Sequence, residues 1–144
     1  MTPVDDLRAT MDKAVAALSH LTSGDPEPYK ALWSHGQDVT VLGGFGGYAL
    51  GWDQVSQNTD WAASRFRGAK SFAIKMLANG SSGDLAYAIW IEHGEVRVEG
   101  RDDYIPIVVR VTHIFRGEDG AWKIIHRHGD AVVEKTEATA ILQR

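Results

Sequence analysis

The chain has 144 residues, 44% of them hydrophobic and 24% charged, with a formal net charge of −4 at pH 7 and no cysteine. This balance predicts a single globular domain over residues 1–144 that buries a core without staples, and it excludes disulfides, thiolate metal sites and cysteine nucleophiles. No basic cluster invites nucleic acid, no segment approaches a membrane span, and Met1 to His20 lacks the apolar core of a signal peptide, so a soluble cytoplasmic protein is expected.

Thr2-Pro3-Val4-Asp5 reads as a helix start, with Thr2 as cap, proline in the first turn and an acid near the positive end of the dipole. Leu7, Met11, Ala14, Val15, Leu18 and Leu21 recur at helical spacing and form one apolar stripe, which Gly24 ends. Asp25-Pro26-Glu27 repeats the start signal for a shorter helix running to about Ser34, with Tyr29, Leu32 and Trp33 as core anchors. Asp38 to Leu42 reads as a short strand. The run Gly43-Gly44-Phe45-Gly46-Gly47 lets another backbone or a ligand come close. Its formal match to a dinucleotide fingerprint lacks the required context, because strands rather than alternating strands and helices follow.

Trp52 to Phe66 is the longest internal helix, with Trp52, Val55, Thr59, Ala62 and Phe66 along one stripe, and Gly68 stops it. Strands are predicted over Lys70 to Leu77, Leu85 to about Glu92, Ile107 to Arg116 and Trp122 to Gly129. Turns fall at Asn79 to Asp84 and at Gly117 to Gly120. The core spans about residues 7–130, and residues 131–144 form a polar tail.

Alternation divides each strand into two faces. In the last hairpin, setting Arg116 opposite Trp122 places Thr112 across from His126, Arg110 from His128, Val111 from Arg127 and His113 from Ile125. The apolar face of the sheet is expected to comprise Leu85, Tyr87, Ile89, Ile91, Val109, Val111, Phe115 and Ile125, backed by Ala86, Ala88, Trp90 and Glu92. That arrangement turns His113 and Arg127 inward. Helices followed by strands predict an α+β fold, a four- or five-stranded curved antiparallel sheet with helices laid on one face.

The segments "LWSHGQDVTVLGGFGG" running into "GWDQV", "GDLAYAI" and "RVTHIFRGEDGAWKIIHRHGD" resemble the SnoaL-like branch of the nuclear-transport-factor-2-like superfamily, over about Leu7 to Asp130. The resemblance implies a cone-shaped sheet around three helices, a pocket at the wide end and a homodimer through the outer sheet face. Family members range from ketosteroid isomerase, cyclases and epoxide hydrolases to non-catalytic association domains. The isomerase base would fall at about Gly43, its oxyanion acid at about His113 and its tyrosine donor near Ala17, so the base is missing.

The candidate ligand-binding residues are His113 and Arg127, as a cationic pocket floor suited to a carboxylate or enolate oxygen. The alternative is a satisfied core histidine and an arginine reaching the rim. A buried Arg127 must in any case have an acid or an anionic ligand beside it. Tyr48, Trp52, Trp61 and Tyr87 are candidates for aromatic walls, or for ordinary core. His126 and His128 could mark a metal site, but lacking a paired carboxylate they read, with Arg110 and Thr112, as a polar network on the dimer face. Asp38, Asp53 and Asp130 are the acids weighed as a base, and none has a spacing that marks it. No metal or cofactor is expected. The function expected is binding of a hydrophobic small molecule with a carbonyl or anionic group, with or without turnover; the alternative is a pocket-less dimerisation or accessory module.

Overall fold

A computed structural model describes residues 6–142, so the helix start read at Thr2 to Asp5 lies outside the described residues. Helix α1 (Leu7–Thr22) is capped by Asp6, whose carboxylate accepts a hydrogen bond from the Arg8 N–H at 3.0 Å. Met11, Ala14, Leu18 and Leu21 bury its expected stripe, joined by Thr10, Ala17 and Thr22. Gly24, at φ +98°, turns the chain out of the helix.

Helix α2 (Glu27–Lys30) is one turn long and does not reach Ser34. The backbone beyond it is taken by the sheet: the Ile124 N–H donates to the Leu32 carbonyl and the Ser34 N–H donates to the Ile124 carbonyl, both at 2.9 Å. These bonds fix Tyr29 and Trp33 in the core, where each is almost wholly enclosed.

Strands β1 (Thr40–Leu42) and β2 (Ala49–Leu50) flank the glycine run, and helix α3 (Gly51–Ser64) follows, burying Val55, Thr59 and Ala63. Then come four long strands: β3 (Phe66–Ser82), β4 (Leu85–Val98), β5 (Ile105–Glu118) and β6 (Ala121–Asp130). The fold is α+β, with six strands in the order β2-β1-β6-β5-β4-β3. β1 runs parallel to β6, so the sheet is not purely antiparallel as expected. Three register irregularities along the β3–β4 ladder bend this part of the sheet. The turn expected at Asn79 to Asp84 is shorter, because Asn79 to Ser82 still pair with β4 and Gly83 alone takes a positive φ. Among the described residues no helix is long and apolar enough to cross a membrane.

The parity of β4 is opposite to the one expected. Ala86, Ala88, Trp90, Glu92 and Val96 are buried, while Leu85 is 48% and Tyr87 43% exposed. Both faces of this strand are apolar, so hydrophobicity alone cannot orient it. The helix-facing side takes the two alanines and the tryptophan, and the larger aliphatic set lies on the outer face.

On β5 the expected parity holds, with Val111, His113 and Phe115 buried. The partner register does not hold. Thr112 pairs with His128, His113 with Arg127 and Arg110 with Asp130, two residues from the expected alignment. Between Ile114–His126 and Phe115–Ile124 the register shifts, leaving Ile125 as an extra residue. This bulge lets Trp122 and Ile124 face inward on one side of it and Arg127 and Gly129 on the other. Ile125, expected on the core face, is only partly buried.

Candidate functional site

Helices α1 and α3, the glycine-rich loop and strands β3 to β6 line an open-mouthed cavity of about 480 Å³. Its walls are mostly apolar, with Leu18 and Leu21 from α1, Phe66 and Phe72 from β3, and Ile107 and Val109 from β5. Phe45 of the glycine run meets Trp61 edge-on, with ring centroids 5.4 Å apart, at the side of the cavity. Gly43, at the position that the resemblance assigns to an isomerase base, is part of this wall.

The polar floor comes from three elements: Tyr29 of α2, Glu92 of β4 and Arg127 of β6. Arg127 donates through Nη1 to Glu92 Oε2 at 2.8 Å and through Nη2 to Glu92 Oε1 at 3.0 Å, a two-pronged ion pair. The side chains are 14% and 4% exposed, so the pair is shielded from water. The Trp90 indole N–H donates to the same Oε2 at 3.0 Å. Arg127 reaches Glu92 by lying across Gly129: a Cβ there would come within 3.3 Å of Arg127 Nη2 and of Val109 Cγ1. Burial disfavours the charge on Arg127, but the Glu92 carboxylate outweighs it and holds the guanidinium more firmly protonated than usual.

Behind the floor, the Tyr29 hydroxyl and His113 Nε2 are hydrogen-bonded at 2.7 Å. His113 is wholly enclosed, packed on Trp90 at 4.9 Å and on Phe115 at 5.9 Å between ring centroids. Burial holds its pKa well below the usual histidine value, and the Arg127 and His126 charges push the same way, so the ring is neutral. Burial lifts the Tyr29 phenol to about 12, against the pull of the Arg127 charge.

Of the six residues proposed as ligand contacts, Arg127 and Trp61 line the cavity. His113 sits one layer behind, reached through Tyr29. Tyr48 is 74% exposed and outside the cavity. Trp52 stacks on His35 at 4.0 Å, which occupies its ring elsewhere. Tyr87 lies on the outer sheet face, its ring over Gly80. The expected cationic floor is also corrected: Glu92 neutralises Arg127, and His113 carries no charge. Sequence reasoning misses Glu92, because it expects the opposite parity of β4. The demand of a buried arginine for an acid could have found it.

The second constellation lies on the outer face. Arg110 donates to both carboxylate oxygens of Asp130 at 2.8 and 2.9 Å, and His126 Nδ1 is hydrogen-bonded to Thr40 Oγ1 at 2.8 Å. Thr112 pairs with His128, whose Nε2 is 3.9 Å from an Asp130 oxygen. Among the described residues no three His, Asp or Glu side chains converge as metal ligands. Asp130 is engaged with Arg110, Asp38 is engaged with Arg116, and Asp53 sits in the first turn of α3; none of the three lines the cavity.

Residues 7–134 match the SnoaL-like domain family. None of the curated proteins matches the sequence. Among solved structures, a ketosteroid isomerase-like protein from Erwinia carotovora atroseptica is similar, with a TM-score of 0.73 at 16% identity, covering 90% of this chain and 98% of that one. A nuclear transport factor 2-like superfamily protein from Salmonella enterica serovar Typhimurium has a TM-score of 0.73 at 17% identity, covering 92% of each chain. A protein from Novosphingobium aromaticivorans, provisionally called a scytalone dehydratase, has a TM-score of 0.67 at 19% identity, covering 85% of this chain and 79% of that one. At such identities the likeness concerns the fold.

The enclosed His113 has a consequence for stability. Its folded pKa is depressed, so below the unfolded value of about 6.5 the unfolded chain binds a proton that the native protein refuses. Stability is therefore lost as pH falls from about 6.5 toward the folded pKa, by at most about 1.4 kcal/mol per pH unit for this group. The half-buried His126 adds a slope of the same sign, so the comparison must be between variants. Urea unfolding between pH 7 and pH 4.5 is expected to show a shallower acid decline for His113→Gln than for the wild type. Parallel declines would mean that His113 is not held neutral in the fold.

Proposed function

Because the chain belongs to the SnoaL-like domain family, we propose that it binds a hydrophobic small molecule in the cavity, with an oxygen-bearing group set against Tyr29, Glu92 and Arg127. The observation that carries this reading is the cavity itself: about 480 Å³, within the range of small-molecule sites, and mostly apolar around its walls. A charged pair held at the end of an apolar cavity is costly as mere core filling, because well-packed apolar residues serve stability as well or better. Neighbours named for an isomerase and a dehydratase stand beside others named as kinase association domains, so the cavity, and not the likeness, carries the choice. Glu92 is the one carboxylate among the lining residues, and both of its oxygens are engaged by Arg127 and Trp90.

The rival reading, an accessory module without a pocket, is disfavoured by the same cavity. A neutral fluorescent apolar probe, N-phenyl-1-naphthylamine, separates the two. Saturable binding to the wild type is expected, weakened about ten-fold or more by Ala62→Trp, which fills the cavity from α3. Equal binding to both proteins, or none to either, would favour the module.

We also propose that a second copy of the chain covers the outer sheet face. Ala78, Ile89, Thr112, His128 and Leu42 form one row across five strands there, and Gly80, Tyr87, Ile114, His126 and Thr40 form the next. The rows are apolar over β4, with Ile89 and Tyr87, mixed over β5, with Thr112 and Ile114, and polar on β6, and Arg110 and Asp130 beside them carry both signs of charge, which suits a self-complementary two-fold interface. Sedimentation at micromolar concentration is expected to give a dimer for the wild type and a folded monomer for Ile89→Glu. A monomeric wild type would refute the interface.

A further inference from the structure

The pocket floor offers a ligand three polar groups, and their hydrogen bonds divide them unequally. Arg127 spends Nη1 and Nη2 on Glu92, and Glu92 accepts these two bonds and a third from Trp90. The two charges cancel within the floor itself. The third group, the Tyr29 hydroxyl, is bonded to the enclosed His113.

Which atom carries the shared proton follows from the other side of the ring. His113 Nδ1 is buried and has no hydrogen-bond partner among the described residues. A neutral imidazole holds one proton, either on Nδ1 or on Nε2. A proton on Nδ1 would be an orphaned buried N–H, and buried donors without a partner are rare. Placed on Nε2, the proton avoids that orphan and is donated to the Tyr29 oxygen. The phenol cannot donate back along the same line, so its own O–H proton is left for a partner in the cavity.

Resting on the cavity reading above, we propose that the floor selects uncharged ligands carrying a carbonyl oxygen, such as a ketone, ester or lactone, and rejects carboxylates. The Tyr29 hydroxyl, backed by the His113 N–H, is the donor to that carbonyl. Arg127 gives no net attraction to an anion, because its charge is already matched by Glu92, and a second carboxylate would lie against the first. The cationic floor that the sequence suggests would have had the opposite preference.

Three naphthalenes of similar size test this by calorimetry or fluorescence at pH 7.5: 2-acetonaphthone, 2-naphthoate and 2-ethylnaphthalene. In the wild type the ketone is expected to bind at least about ten-fold more tightly than the naphthoate. Tyr29→Phe is expected to weaken the ketone several-fold and leave 2-ethylnaphthalene unchanged, the loss of one hydrogen bond. Glu92→Gln, which releases the Arg127 charge, is expected to tighten the naphthoate about ten-fold or more. Should that variant not fold, the Tyr29→Phe comparison decides alone. Naphthoate binding as tightly as the ketone in the wild type, or Tyr29→Phe weakening ketone and hydrocarbon alike, overturns the selectivity while the cavity reading stands. Failure of all three compounds and of N-phenyl-1-naphthylamine removes the cavity reading, and the selectivity with it.

Discussion

The guanidinium of Arg127 and the carboxylate of Glu92 meet at the end of an apolar cavity, on strands that are not neighbours. Strand β5 runs between them, and their backbone partners on it are His113 and Val109, four residues apart. The arginine must therefore lie along the sheet, and it can do so because position 129 has no side chain. Two charges taken out of water this far are tolerated only when each has a matched partner with good geometry. Three features of the fold meet that requirement together: β4 turns Glu92 inward, the bulge at Ile125 keeps Arg127 inward, and Gly129 leaves the path open.

The pair also determines what the floor is, chemically. With its net charge cancelled, the floor acts through dipoles and hydrogen bonds. His113, kept neutral by its enclosure, is a fixed donor or acceptor at ordinary pH. Tyr29 lines the cavity while its hydroxyl is bonded to His113, and so it joins the two. The histidines of β6 lie on the other side of the sheet, where Thr40 and Asp130 are their neighbours, and have no part in the floor.

Much of the architecture was legible in the sequence. The stripe of α1, the start of α3 and the inward parity of Val111, His113 and Phe115 follow from periodicity, whereas α3 ends at Ser64 and the expected Phe66 and Gly68 of its end belong to β3. β4 was not legible in that way: Leu85, Tyr87, Ile89 and Ile91 make as good a hydrophobic row as Ala86, Ala88 and Trp90. Nor does any local signal mark Ile125 as an extra residue, so the expected hairpin register is off by one position beside the turn and by two beyond the bulge, and the expected faces of β6 hold only beyond it. Glu92 was lost with the parity of its strand. The charge argument holds the missing information, since an inward Arg127 calls for an inward acid and Glu92 supplies one only if β4 is turned over. Tyr29 was legible as core, and its hydroxyl was not, because the partner lies 84 residues away.

Glu92 and Arg127 depend on each other inside the protein. A double-mutant cycle of unfolding free energies over wild type, Glu92→Leu, Arg127→Met and the double variant tests this dependence most directly. Each single change is predicted to cost about 3–5 kcal/mol by stranding a buried charge, and the double change far less than their sum. Two small, additive losses would contradict the account, for they would mean that each group is hydrated on its own and that the floor is not a closed pair.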